Sequence, residues 1–297
     1  MTEMSLGQSA LKVSPLAWGM WRFKGADVKA ARARVEAALA AGLTFLDTAD
    51  IYGPDNGEPF GAAEALFGQV LKEAPGLRDR MVLASKGGIV MGTPYDSSAA
   101  YLESAVEASL SRMGVDKIDL YQIHRPDHLA HPAQVAQVLT GLRQAGKIGE
   151  IGLSNHTAAQ VAALQAHLDS PIACVQIEFS PLVVGPLYDG TLDQALETGI
   201  GVMAWSPLAQ GRLADGPSTD ERVLAVRAAL DEIAAGHGVS RTIAAYAWLL
   251  AHPSKPIPII GSQQPERIAE AAKALDVQLT RPEWYAVLTA ARGVPLP

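Results

Sequence analysis

Gly42-Leu43-Thr44-Phe45-Leu46-Asp47-Thr48-Ala49-Asp50-Ile51-Tyr52-Gly53 passes from an apolar strand into a polar loop. Gly42 ends a helical run, and Leu43, Phe45 and Leu46 read as a short buried strand. Asp47 then falls at the strand's C-terminal end and Tyr52 in the loop beyond it. In parallel α/β proteins that end of the sheet is where chemistry is assembled.

The same alternation runs in both directions from this stretch. Before it, Leu16-Ala17-Trp18 is a strand and about Asp27 to Ala41 a helix, with Val35, Ala38 and Leu39 at helical spacing. After it come a helix from about Phe60 to Glu73 and the strand Met81 to Ser85, which ends in Lys86-Gly87-Gly88. A helix from about Ser98 to Met113 leads to the strand Ile118 to Ile123, which delivers His124 into a loop. A helix from about Pro132 to Ala145 is followed by strands at Ile148 to Leu153, Ile172 to Ile177 and Val202 to Trp205. A helical region from about Asp220 to Ala251, broken near Gly236 and Gly238, precedes a last strand, Ile257 to Ile260. Eight apolar strands separated by helices predict a single (β/α)₈ TIM barrel of class α/β over residues 1–297, because parallel neighbours need crossovers and each strand is buried on both faces. Met4-Ser5-Leu6 and Leu11-Lys12-Val13 suit a short hairpin ahead of it. Helices from about Pro265 to Leu275 and Pro282 to Ala291 form a C-terminal extension.

Composition narrows the function. With 48% hydrophobic and 19% charged residues the chain is ordinary globular material. A formal net charge of −7 repels phosphate backbones and anionic lipid, so neither a nucleic acid nor a membrane surface is the expected partner. Cys174 is the only cysteine, which fits a reducing compartment and a small buried hydrophobe on its strand. No secretory signal and no apolar run of about 20 residues is visible, so a cytoplasmic protein is expected. Oligomeric state is left open.

Two phosphate-loop patterns fail on context. Gly199-Ile200-Gly201-Val202-Met203-Ala204 leads into a strand, whereas a dinucleotide fingerprint leaves one. Gly141 to Ile148 lacks the hydroxyl residue that must follow its lysine. No G-x-S-x-G elbow occurs. His124, Asp127, His128 and His131 resemble a metal cluster, but Pro126 and Pro132 make this a loop, and no second His/Asp pair sits at another strand end. A metal-dependent barrel hydrolase is therefore the weaker enzyme reading, and no metal is expected. Individually, Asp47 as a helix cap, Tyr52 as a loop anchor, Lys86 as a solvated turn residue and His124 as a hydrogen-bonded core ring are each reasonable. Strands two to four lie side by side in a barrel, however, so the four would converge at one mouth.

With Leu46 to Gly53, Ser85-Lys86, Ile123-His124, Gly152-Leu153-Ser154-Asn155, Trp205-Ser206-Pro207-Leu208 and Ile260-Gly261-Ser262, the chain resembles the aldo-keto reductase superfamily. His124-Arg125-Pro126-Asp127 is similar to a bacterial branch of it. The resemblance implies reduction of aldehyde or ketone carbonyls by NAD(P)H, held without a Rossmann loop, on a small-molecule substrate. By position Asp47, Tyr52, Lys86 and His124 match the catalytic tetrad. Gly19, Ser154, Asn155, Gln176, Trp205, Ser206, Leu208, Gly261, Ser262, Gln264, Arg267 and Glu270 match cofactor-binding positions, with Ser154, Asn155 and Gln176 on the carboxamide and Trp205 stacked on the nicotinamide. Trp205 stands where many members have tyrosine, and the segment from Pro54 to Gly61 is longer and more acidic than usual.

On this reading Tyr52 protonates the carbonyl oxygen, helped by Lys86, which Asp47 holds charged, while His124 orients the oxygen. Trp21 and Phe23 are expected as aromatic walls suited to an apolar substrate. NADPH is the expected cofactor, with NADH possible, because Arg267 suits a 2′-phosphate while Gly261 and Gln264 occupy places where NADP-specific relatives put lysine. A nicotinamide-binding sensor or regulatory subunit with incidental turnover remains the alternative from another class.

Overall fold

A computed structural model describes residues 2–296 of the chain. Eight parallel strands close into a barrel: β1 (Ala17–Gly19), β2 (Phe45–Asp47), β3 (Val82–Gly87), β4 (Ile118–Ile123), β5 (Ile148–Ser154), β6 (Cys174–Glu178), β7 (Gly201–Trp205) and β8 (Ile257–Ile260). They pair in chain order, and β8 returns to β1 through Ile259↔Ala17 and Ile260↔Trp18. The sequence expectation stops the third strand at Ser85, but pairing continues through Lys86↔Gln122 and Gly87↔Ile123. Lys86 therefore lies inside β3 rather than beyond it.

Ten α-helices among the described residues surround the barrel: α1 (Val28–Ala40), α2 (Ala62–Glu73), α3 (Ala99–Met113), α4 (Pro132–Gln144), α5 (Ala158–Gln165), α6 (Thr191–Thr198), α7 (Glu221–His237), α8 (Arg241–Leu250), α9 (Pro265–Ala271) and α10 (Arg281–Arg292). The start and stop of α1 show why the chain folds this way locally. The Asp27 carboxylate accepts from the Ala30 amide at 3.0 Å, filling one of the donors that every helix start leaves open. At the other end Gly42 takes φ 81°, and Leu43 N–H reaches back to the Ala38 carbonyl at 2.9 Å, so the chain turns directly into β2.

The strands place two cores. Outward side chains such as Trp18, Leu46, Leu83, Tyr121, Ile151, Val175 and Val202 pack under the helices. Inward ones, Ala17, Phe45, Ala84, Leu120, Cys174, Met203 and Ile257, fill the barrel's floor. The N-terminal hairpin, Met4–Ser5 paired antiparallel with Lys12–Val13, adds buried Leu6 and Val13 to that floor. The C-terminal helix is held by Trp284 stacked on Trp248, ring centroids 4.9 Å apart and 6° from parallel, each indole donating to the other's backbone carbonyl. No helix among the described residues is long and apolar enough to cross a membrane.

Candidate active site

Side chains of a strand alternate between faces, so the residue two beyond each floor position also points inward, one layer nearer the mouth. That step leads from Phe45 to Asp47, from Ala84 to Lys86, from Leu120 to Gln122, from Cys174 to Gln176 and from Met203 to Trp205. An apolar floor is thereby capped by a polar layer. Its members Asp47, Lys86, Gln122 and Gln176 are all 2% exposed or less.

Lys86 is the centre of the layer. Its ammonium donates to Asp47 Oδ2 at 2.7 Å, to the Thr48 carbonyl at 2.8 Å and to Tyr52 Oη at 3.1 Å. An ammonium has three hydrogens, and all three are placed. Tyr52 thus accepts from Lys86, and its own hydroxyl proton is left to donate elsewhere. Burial alone favours neutral Lys86, but Asp47 and Tyr52 outweigh it and hold the ammonium above its ordinary value. Burial also raises the Tyr52 phenol, with the charge on Lys86 pulling the other way. The phenol therefore stays protonated across the physiological range.

The loop carrying Tyr52 is tied down along its length. Asp50 N–H donates to the Lys86 carbonyl at 3.0 Å, and the Tyr52 carbonyl accepts from Ala63 N at 3.1 Å. At Gly53 a Cβ would come within 1.8 Å of the Pro59 carbonyl oxygen, so only glycine allows the loop to fold back on itself. The acidic segment 54–61 forms a short turn, Pro54–Asn56, whose Asp55 accepts from Trp21 Nε1 at 3.3 Å.

Beside this loop the Asp50 carboxyl is buried, with Tyr101 Oη its one side-chain partner among the described residues, at 3.4 Å. Burial, then the charge of Glu64, raise it to about 8, against the pull of Arg112. An unfolded chain loses this proton near the ordinary 3.8 while the folded chain keeps it to about 8, so the carboxyl costs stability increasingly as pH rises through that window. Asp50→Asn escapes the cost. Its stability relative to wild type should grow by about 1.4 kcal/mol per pH unit across the window and level off above it. Urea unfolding at about pH 5, 7 and 9 checks this, and a constant difference contradicts it.

His124 follows β4 with its ring edge-on to Tyr52, centroids 6.0 Å apart. Burial, then the charges on Lys86 and Arg125, push its pKa well below the usual value, so the imidazole is neutral. Asn155 links it to the next strands. The Asn155 amide donates to the His124 carbonyl at 3.2 Å and to Ser154 Oγ at 2.8 Å, while its oxygen accepts from Trp205 Nε1 at 2.9 Å. Asn155, Ser206, Ala209 and Gln210 all adopt positive φ, four of the five non-glycine residues that do so among those described. Such backbone costs about 1–3 kcal/mol per residue and concentrates at functional sites, and these four lie in the loops after β5 and β7.

The remaining expected positions divide. Gly19 and Ser262 lie where β1 and β8 meet: the Gly19 carbonyl accepts from Gln263 Nε2 at 3.1 Å, and Trp18 Nε1 donates to the Ser262 carbonyl at 2.9 Å. Leu208 follows Ser206 in the β7 loop and packs on the outer core. Gly261, Gln264 and Arg267 are exposed around the start of α9, and Glu270, one turn on, accepts from Ser240 Oγ. Arg267 forms no ion pair among the described residues. Gln176 directs its amide nitrogen to Asp47 Oδ1 at 2.9 Å and Gln122 Oε1 at 3.3 Å. Phe23 is no wall: at 1% exposure it packs edge-on to outward-facing Trp18, centroids 5.6 Å apart, under the helices. Trp21 is 42% exposed. Gln122, which also reaches Asp47 Oδ1 at 3.2 Å, had no assigned role, although its place two residues before His124 puts both on one strand face.

Asp127 and His131 of the histidine-rich loop are occupied with backbone amides. Asp127 accepts from Ser97 N and Leu129 N, and His131 Nδ1 caps α4 by accepting from Ala133 N at 3.2 Å. No group of three or more His, Cys, Asp or Glu among the described residues is arranged to hold a metal ion.

The sequence model of the Aldo/keto reductase family matches residues 15–291. A 6-dehydroglucose reductase of Novosphingobium aromaticivorans is 54% identical over 98% of this chain and 96% of that one. A second protein of that name, from Agrobacterium fabrum, is 38% identical over 95% and 96%. In fold, a thermostable aldo-keto reductase, Tm1743, solved in complex with the inhibitor epalrestat, superposes with a TM-score of 0.83 at 24% identity, covering 98% of this chain and all of that one.

Proposed function

The chain belongs to the aldo/keto reductase family, and from that premise we propose that it reduces an aldehyde to the alcohol, with Tyr52 as proton donor. The observation that carries the reading is the fully committed Lys86 ammonium, which leaves the Tyr52 hydroxyl proton free to donate. A bound nicotinamide cofactor supplies the hydride. The residues present fit such a group. The partly buried Trp205 indole offers a flat face, Ser154 and Asn155 stand beside it, and Arg267 is an exposed cation with no internal partner among the described residues. Tyr52 gives its proton to the carbonyl oxygen, and Lys86 stabilises the phenolate left behind. Neutral His124 orients that oxygen without adding charge.

The substrate we propose is a sugar aldehyde, 6-dehydroglucose, the compound in the names of both relatives. This replaces the apolar carbonyl compound expected from aromatic residues alone. The ends of β2, β4 and β6 lead to Asp55, Arg125 and Glu178, charged groups that can pair with hydroxyls, and Trp21 presents a face to the C–H side of a sugar ring. NADPH oxidation over a panel containing 6-dehydroglucose, other sugar aldehydes and 4-nitrobenzaldehyde tests it. Turnover should be best with 6-dehydroglucose. Activity on the aromatic aldehyde alone would remove the sugar assignment, and silence across the panel would remove carbonyl reduction.

NADPH is the proposed cofactor, favoured modestly over NADH. One charge-assisted contact from Arg267 to a 2′-phosphate is worth ~1.5–3 kcal/mol, roughly a ten- to hundredfold preference. Arg267→Ala should erase most of that ratio of kcat/KM values, and Gln264→Lys should enlarge it. A preference unchanged in Arg267→Ala would show that this residue does not read the phosphate.

A further inference from the structure

The pair at the centre of the site is enclosed in the barrel: Lys86 is 0% and Asp47 2% exposed. Removed from water, a carboxylate and an ammonium are driven towards their neutral forms, an acid beside an amine, unless other groups favour the ions. Lys86 occupies only Asp47 Oδ2. The other oxygen, Oδ1, accepts from two side-chain amides, Gln176 Nε2 at 2.9 Å from β6 and Gln122 Nε2 at 3.2 Å from β4. Their direction is dictated by chemistry, since an amide oxygen turned onto a carboxylate would set two acceptors face to face.

The position of Gln122 is itself secured. Its Oε1 accepts from Gln176 Nε2 at 3.3 Å and lies 3.9 Å from Cys174 Sγ. Between Gln122 and Cys174, β5 presents Gly152, where a Cβ would come within 2.9 Å of both Gln122 Cγ and Cys174 Sγ. A larger residue there would push Gln122 out of line with Asp47.

We propose that Gln122 is a positioning residue which, together with Gln176, clamps Asp47 as an anion and so keeps Lys86 charged against Tyr52. The inference rests on the carbonyl-reducing role given to Tyr52 above. Gln122 is fully buried beneath the mouth and acts through Asp47. The titratable groups facing the pair are Tyr52 from the loop after β2, His124 from the end of β4 and Cys174 from β6. His124 and Cys174 are both pushed towards their neutral forms by burial, so Asp47 is the anion on which the charge of Lys86 depends.

The test compares Gln122→Met, which keeps length and volume but has no donor, with Gln122→Glu, which keeps shape and adds a second carboxyl beside Asp47. Protein labelled with ¹³C at lysine Cε reports the titration of Lys86 without any turnover, its signal identified by loss in Lys86→Met. In Gln122→Met, Lys86 should lose its proton about one pH unit lower than in wild type, and the alkaline limb of kcat/KM for aldehyde reduction should move with it, about a tenfold loss on that limb. In Gln122→Glu the added negative charge should move Lys86 the opposite way. A residue that merely fills space would change Tm in Gln122→Met and leave the Lys86 titration alone, whereas Gln122→Glu moves Lys86 through its added charge in either case and shows that the signal responds. An unchanged titration in Gln122→Met would overturn the clamp, and Gln122→Leu decides in its place if Gln122→Met does not fold. If the titrations shift in opposite directions while wild type reduces no aldehyde, the clamp stands and the carbonyl-reducing role falls.

Discussion

Tyr52→Phe should lower kcat/KM for aldehyde reduction roughly a thousandfold, the middle of the range for loss of a general acid, while binding NADPH with a Kd within about twofold of wild type. The asymmetry follows from geometry. The hydroxyl is the only group removed, and its one hydrogen-bond partner among the described residues is Lys86 Nζ at 3.1 Å. The ring stays edge-on to His124, and the loop remains anchored through its backbone bonds to Ala49 and Ala63. What disappears is the proton that Lys86, with its other two hydrogens on Asp47 and Thr48, leaves free for the substrate. A variant retaining most of kcat would show that the proton comes from another group. Loss of cofactor affinity in step with loss of rate would show instead that the substitution had disturbed the mouth.

The second large effect is on stability as well as rate. Lys86→Met leaves the Asp47 carboxylate buried without its counter-ion, and breaking an enclosed pair from one side costs about 3–5 kcal/mol. Activity should vanish with it. Adding Asp47→Asn removes the stranded charge, so the double variant should regain most of the lost stability while remaining inactive. Urea unfolding of the two single variants and the double gives the coupling directly. Additive losses would mean that the two side chains do not form an ion pair in solution, and activity in the double variant would mean that the pair serves only the fold.

The barrel was legible because buried parallel strands read as continuous apolar runs, and those at 81–84, 202–205 and 257–260 are too short for helices and too apolar for surface loops. Asp47 and His124 stood out for the same reason, as polar residues where such runs stop. Other features were hidden. No helix was anticipated at Ala158–Gln165 or Thr191–Thr198, both eight residues long, although Thr157 and Gln160 form a capping box that marks the start of the first. The two-residue strand Ile89–Val90, paired with Thr93–Tyr95, is too short to carry a period. Gln122 and Gln176 illustrate a different limit. Their inward direction follows from alternation, but that both amides turn onto one oxygen of Asp47 depends on the register of β2, β4 and β6 together. Phe23 shows the reverse case: an aromatic residue in a loop resembles a pocket wall until Trp18, facing outward on β1, draws it beneath the helices.

The most direct measurement of the central claim follows both reactants in one vessel, NADPH by absorbance and the sugar by ¹H NMR, with wild type and Tyr52→Phe side by side on 6-dehydroglucose. The wild-type protein should consume NADPH and form the alcohol in equal amounts, and Tyr52→Phe should form almost none while still binding cofactor. Tight NADPH binding with no alcohol from the wild-type protein, on this aldehyde or any other, would contradict the account and mark the site as one that binds a nicotinamide cofactor without using it.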